Sequence, residues 1–167
     1  MPKHLLKRRV PDSIREFRAA ASERFEDGSA AEEAGRRTAA IYLWGYTAEM
    51  ILKAAYFAAI GYASSTPITI NDLKAARFAG IQTYGVLWPG NLHDVRAWAD
   101  LLVEHQSRPP IGAYVLPGFG DDVKRRGRRI EPLWSETLRY HKNIAYTHEV
   151  ERVREAAGWL LERSSVL

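Results

Sequence analysis

The chain has no cysteine among its 167 residues. Disulfides and thiolate metal sites are thereby excluded, and the absence suits a reducing compartment. It also lacks an apolar run fit to span a bilayer. The most apolar stretch, 38–62, carries Glu49 and Lys53 at its middle, and the charge-free residues that follow include Gly61, Ser64, Ser65 and Pro67. The first ten residues, MPKHLLKRRV, are basic and have no apolar core of the secretion-signal kind. Alternating Val/Ile-rich segments are missing, which argues against a sheet. There is no HExxH motif and no carboxylate–histidine cluster at ligand spacing, so no metal is expected. GxSxG is absent too. The lone GxG, Gly118-Phe119-Gly120, follows no strand and reads as a turn rather than a dinucleotide site. These absences lead to an expectation of a cytoplasmic protein without membrane span, metal or cofactor.

What is present is helical periodicity. Residues 11–27 place Ile14, Phe17, Ala21 and Phe25 on one stripe, with Ser13 and Glu16 spaced as a capping box and Gly28 as a stop. Ser29 with Glu32 repeats the start signal, which predicts a second helix continuing through Tyr62. At about 30 residues it would run roughly 45 Å. Gly45, Ala48, Leu52, Ala55 and Ala59 give it a small-residue face for close packing. Tyr42, Tyr46, Glu49, Lys53, Tyr56 and Ile60 form a neighbouring face, on which Glu49 and Lys53 stand in the favourable i,i+4 order.

Further along, a short helix is expected over 72–78 after Asn71, and a loop over 82–90. Asn91 reads as the N-cap of a helix reaching Gln106, with Leu92, Val95, Trp98, Ala99 and Leu102 inward. Residues 108–132 hold four prolines and four glycines and read as a long irregular loop, with an extended piece at 114–116. Two closing helices are expected at 133–141 and 149–163, the latter capped by Thr147. The sum is one all-α domain, an up-and-down bundle of about five to six helices around a long central one.

Charge adds one local feature. The net charge is +4, and arginines outnumber lysines 18 to 6. Lys124, Arg125, Arg126, Arg128 and Arg129 put five positive charges into six residues. They read either as a solvated basic loop or as a surface that neutralises phosphates of a nucleic acid.

Three pieces together carry a family resemblance. GYTAEMILKAA (45–55) resembles the GYxxExxLKA helix of HEPN-like (higher eukaryotes and prokaryotes nucleotide-binding) domains. His93-Asp94-Val95 is similar to their H-D-L segment, and Trp134 with Arg139-Tyr140 to their W-x-x-x-x-R-Y segment. The resemblance implies a helical bundle, commonly a homodimer, associated with nucleotides or RNA. Some members are accessory partners of nucleotidyltransferases or antitoxins, and others are metal-independent endoribonucleases. The ribonuclease motif is Arg, four to six residues, then His. Here Arg139 and His148 are separated by eight, so catalysis requires them to meet across a helix break or between two copies. The leading expectation is a non-catalytic accessory module. The alternatives are a ribonuclease using Arg139 and His148, and a protein-binding scaffold. A polar cluster of Tyr46, Glu49, Lys53, Tyr140 and His141 is expected to be a ligand site or a structural lock, with Glu49 paired to Arg139. His93 is expected to seat the start of its helix.

Overall fold

The computed structural model describes residues 10–108 and 117–167, and every regular element among them is helical. The first helix, α1 (Ile14–Glu33), starts where Ser13 Oγ accepts a hydrogen bond from Glu16 N, as the capping signal predicts. It does not stop at Gly28. That glycine lies inside α1 against the indole of Trp44, where a Cβ would sit 2.6 Å from Trp44 Nε1. It makes room for a ring rather than a turn. The break comes at Gly35, whose φ of +73° only glycine adopts cheaply. The expected helix from Ser29 through Tyr62 is therefore divided between α1 and α2.

The second helix, α2 (Arg37–Ala59), is buried over most of its circumference and packs against α1, α4 and α6. A helix apolar on nearly all sides belongs at the centre of a bundle. Trp44 and Ala48 are fully enclosed, and Thr47 donates its hydroxyl to the carbonyl of Ala21 in α1. No side chain of its own caps α2. Asn143 does so from far along the chain, accepting from Thr38 N while donating to Gly35 O. Thr38 Oγ1 in turn accepts from Ile144 N and Ala145 N.

Three expectations about the middle of the chain change. Helix α3 (Ile70–Tyr84) is capped by Thr69, in a reciprocal box with Asp72, and passes Gly80 before ending at Gly85. Helix α4 (Val95–Gln106) is capped by Asp94, which accepts from Ala97 N, and not by Asn91. The expected irregular loop is overturned where it is described: α5 (Phe119–Ile130) is a regular helix. Its inward face is Gly120, Val123, Gly127 and Ile130. A Cβ on Gly127 would come within 2.8 Å of Ala99 Cβ, so α5 lies almost backbone-to-backbone on α4. The extended piece expected at 114–116, and all of the basic arm expected at 1–10 except Val10, fall outside the described residues.

In place of a helix over 133–141 there are two 3-10 turns, Glu131–Leu133 and Glu136–Tyr140. Pro132 lies in the first, and Trp134 between them is extended. That geometry lays its indole on Gly45 and lets Nε1 donate to Tyr42 O at 2.9 Å. The last helix, α6 (Thr147–Glu162), buries Val150, Val153, Ala157 and Leu160 as its spacing predicts. Thr147 is its first residue rather than its cap, and Glu149 accepts from Tyr146 N instead. No helix among the described residues is long and apolar enough to cross a membrane.

Candidate functional site

A cleft of about 580 Å³ opens between α1, α2, α3 and the loop before α4. Its walls are largely apolar, with Phe17 and Ala20 from α1, Met50 from α2, Ile70 and Leu73 from α3, and Leu92. Three charged or titratable side chains of two elements meet within it: Glu49, Lys53 and His93.

Glu49 and Lys53 are only 2% and 5% exposed. The helical spacing puts both on one stripe of α2, and the Lys53 ammonium donates to Glu49 Oε1. Trp98 of α4 lies beneath Lys53, with Nζ 5.4 Å from the ring centroid. His93 completes the set from across the cleft. Its Nδ1 is 3.0 Å from each Glu49 oxygen. A carboxylate accepts and never donates, so Nδ1 carries the proton. No protein group among the described residues pairs with the other ring nitrogen, Nε2, and the His93 side chain is 38% exposed.

The loop holding His93 is braced. Asn91 Oδ1 accepts from His93 N, Trp88 Nε1 donates to Asn91 O, and Trp98 Nε1 donates to Leu92 O. Asn91 Nδ2 also donates to Glu136. The imidazole is further held edge-on to Tyr46, with ring centroids 6.1 Å apart. Tyr46 itself is wedged between Tyr42 and Trp134, and burial holds its phenol protonated well above the ordinary range.

The hydrogen bond that His93 donates to Glu49 holds the His93 pKa above its ordinary value, and burial offsets part of that rise. A raised folded-state pKa stabilises the fold fully below the ordinary value of 6.5, and the gain disappears as pH climbs through the raised one. The stability difference between wild type and His93→Gln, from urea titrations, is therefore expected to shrink from pH 6 to pH 8. A difference that grew with pH would contradict this protonation scheme.

The structure brings together only part of the expected polar cluster. Tyr46, Glu49 and Lys53 are neighbours, whereas Tyr140 and His141 are exposed. The expected Glu49–Arg139 pair does not form. His93 occupies the place given to Arg139, whose guanidinium instead stacks 4.7 Å from the Tyr140 ring centroid on the exposed second 3-10 turn. Arg139 and His148 share no hydrogen bond. His148 stacks on Tyr146 and lines a separate shallow concavity with Arg129, Glu151 and Arg152. His93 does more than seat a helix, since it supplies the third polar group of the cleft. The signal available for it was position: a residue just ahead of the cap Asp94 projects from the helix end toward whatever packs there.

The basic run is not a loop but one surface of α5, and its charges have partners. Lys124 bonds Glu104 at 2.6 Å and Arg125 pairs with Asp122. Arg126 and Arg129 take the two oxygens of Glu155 in α6, and Arg126 also covers Trp159. Arg128 is loosest, 4.0 Å from Asp100. Much of this charge joins α5 to its neighbours. Among the described residues no group of three or more potential ligands is arranged to hold a metal.

No family model, curated protein or solved structure matches the chain.

Proposed function

We propose that the chain is a non-catalytic, HEPN-like accessory module whose working site is the cleft floored by Glu49, Lys53 and His93, and that this cleft takes a small ligand of the nucleotide class. The carrying observation is a buried, mutually hydrogen-bonded charge cluster that opens into an apolar-walled cavity. Ligand sites are commonly concave and mostly apolar, with a few convergent polar groups. A purely structural lock would have no need of a cavity above it. The same reading makes the module a homodimer acting beside a nucleotidyltransferase or antitoxin partner, with the exposed Tyr140, Ile144 and Tyr146 as contact surface.

The ribonuclease alternative has less support. Arg139 and His148 have different neighbours within one chain. A ribonuclease reading would need them to be brought together, and a junction between two copies is one way to do so.

The test is a thermal-shift titration of the full chain with nucleosides and nucleotides. A ligand at a hundred times its Kd adds about 2.7 kcal/mol, or roughly 5–10 °C in Tm for a domain of this size. No shift with any of them at millimolar concentration would refute the reading.

A further inference from the structure

We infer that the cleft selects ligands that present a single oxyanion on an apolar or aromatic body, held between the Lys53 ammonium and His93 Nε2–H. This rests on the cleft being a ligand site and names what that site takes.

The donor count supplies the first argument. A lysine ammonium has three N–H donors, and the structure gives Lys53 one protein acceptor, Glu49 Oε1. His93 Nδ1 is committed to Glu49, which leaves Nε2 as the polar atom on the open side of the ring. When the imidazole is protonated, Nε2 becomes a donor. The floor then offers donors only, because Glu49 is occupied by Lys53 and His93. Oxygen of a carboxylate or phosphate satisfies them, whereas an amine or an amide N–H does not.

The charge count supplies the second. Glu49 and Lys53 cancel, so protonated His93 leaves one net positive charge at the floor. Among the described residues, the other charged side chains that line the cleft are acidic. Asp12 and Glu16 stand on the α1 side, Glu16 beside Arg15. Glu136 faces it from the second 3-10 turn, tied to Asn91. Tyr46 is the neighbour on α2 and is uncharged. One positive charge ringed by carboxylates accommodates one negative charge. A polyphosphate would push its further charges against Asp12 and Glu16. The remaining walls, Phe17, Met50, Leu73 and Leu92, receive an apolar or aromatic body.

Glu49 also couples binding to protonation of His93. Its raised proton affinity comes from Glu49, and an oxyanion on Nε2 raises it further, so binding takes up a proton.

Calorimetric titrations of the full chain test this at pH 6.0 and 8.0 with a nucleoside monophosphate, the matching triphosphate, the uncharged nucleoside, and phenylacetate. Both singly headed oxyanions are expected to bind at pH 6.0. Their affinity should fall as pH rises, approaching tenfold per unit once His93 is mostly neutral. The triphosphate and the nucleoside should bind at least tenfold more weakly. The monophosphate and phenylacetate arms separate a phosphate from a carboxylate as the preferred head. In His93→Gln the amide donates at any pH, so binding persists, and its pH dependence vanishes for phenylacetate, whose charge is constant over this range. In His93→Ala binding drops at least tenfold. PH-independent binding by wild type would overturn the inference. Equal or tighter binding of the triphosphate or the nucleoside would overturn it too, yet leave a nucleotide-class site standing. No binding by any of the four would remove both.

Discussion

Gly45→Ala is expected to destabilise the protein by about 3–5 kcal/mol, the cost of losing a buried tryptophan from its seat. Helix propensity alone predicts the opposite sign, a gain of about 1 kcal/mol for alanine over glycine in a helix interior. Packing decides. A Cβ at Gly45 would lie 2.0 Å from Trp134 Cδ1 and 2.2 Å from two further atoms of the same ring. No rotation of α2 is available, because its other faces are held by α1, α4 and α6. Trp134 must leave, and with it go the hydrogen bond to Tyr42 O and the edge contact with Tyr46. Urea denaturation of Gly45→Ala, Trp134→Ala and the double variant checks the cause. If the indole is the only obstacle, the double variant is no less stable than Trp134→Ala. Additive losses would show that the clash is elsewhere.

Lys53→Met should cost a similar amount, about 3–5 kcal/mol, because it takes the ammonium from the buried Glu49 carboxylate and leaves His93 as its partner. Methionine keeps the volume and the contact with Trp98, so the loss is electrostatic rather than a cavity. Two further results separate this from ordinary misfit. Removing both charges, in Glu49→Leu with Lys53→Met, should recover most of the stability, since a buried pair is often no better than well-packed apolar side chains. The single variant should also regain stability as pH is lowered. Lower pH protonates His93, the remaining partner of Glu49, and so restores a cation beside the carboxylate. A single variant whose loss is the same at pH 5 and pH 8 would argue against an uncompensated carboxylate.

The faces of the central helix were legible in the sequence. Gly45, Ala48, Leu52 and Ala55 are packed inward as their spacing requires, and so is the Val150–Leu160 stripe of α6. The meaning of each glycine was not. Gly35 and Gly85 supply positive φ at helix ends, whereas Gly28, Gly80 and Gly127 lie inside helices where rings or backbone come close. The letter is the same, and only the third dimension separates the two uses. Helix α5 was hidden for a related reason. Its buried face is narrow and half glycine, and five cations in six residues obscure the period. In the cleft, Glu49 and Lys53 stood out as charges on an otherwise buried helix. The choice of His93 over Arg139 as their partner depends on how α4 is docked and on the extended Trp134, and neither is encoded locally.

The turn at Gly35 has a consequence for the order in which the molecule forms. Helices α1 and α2 are joined by only three residues, 34–36, and carry the most extensive helix–helix contact in the chain. Contacts between near neighbours in sequence cost little loop entropy and form early. This hairpin already contains Phe17, Glu49, Met50 and Lys53, so half of the cleft is expected to exist in the folding transition state. His93 lies 44 residues from Glu49 and arrives with α4. High φ-values at Ala21 and Ala48 with values near zero at Val95 and Trp98 are the expected kinetic pattern; the reverse would place nucleation elsewhere. On this route Glu49 and Lys53 neutralise each other before the imidazole docks, and the hairpin is never left with a lone charge to bury.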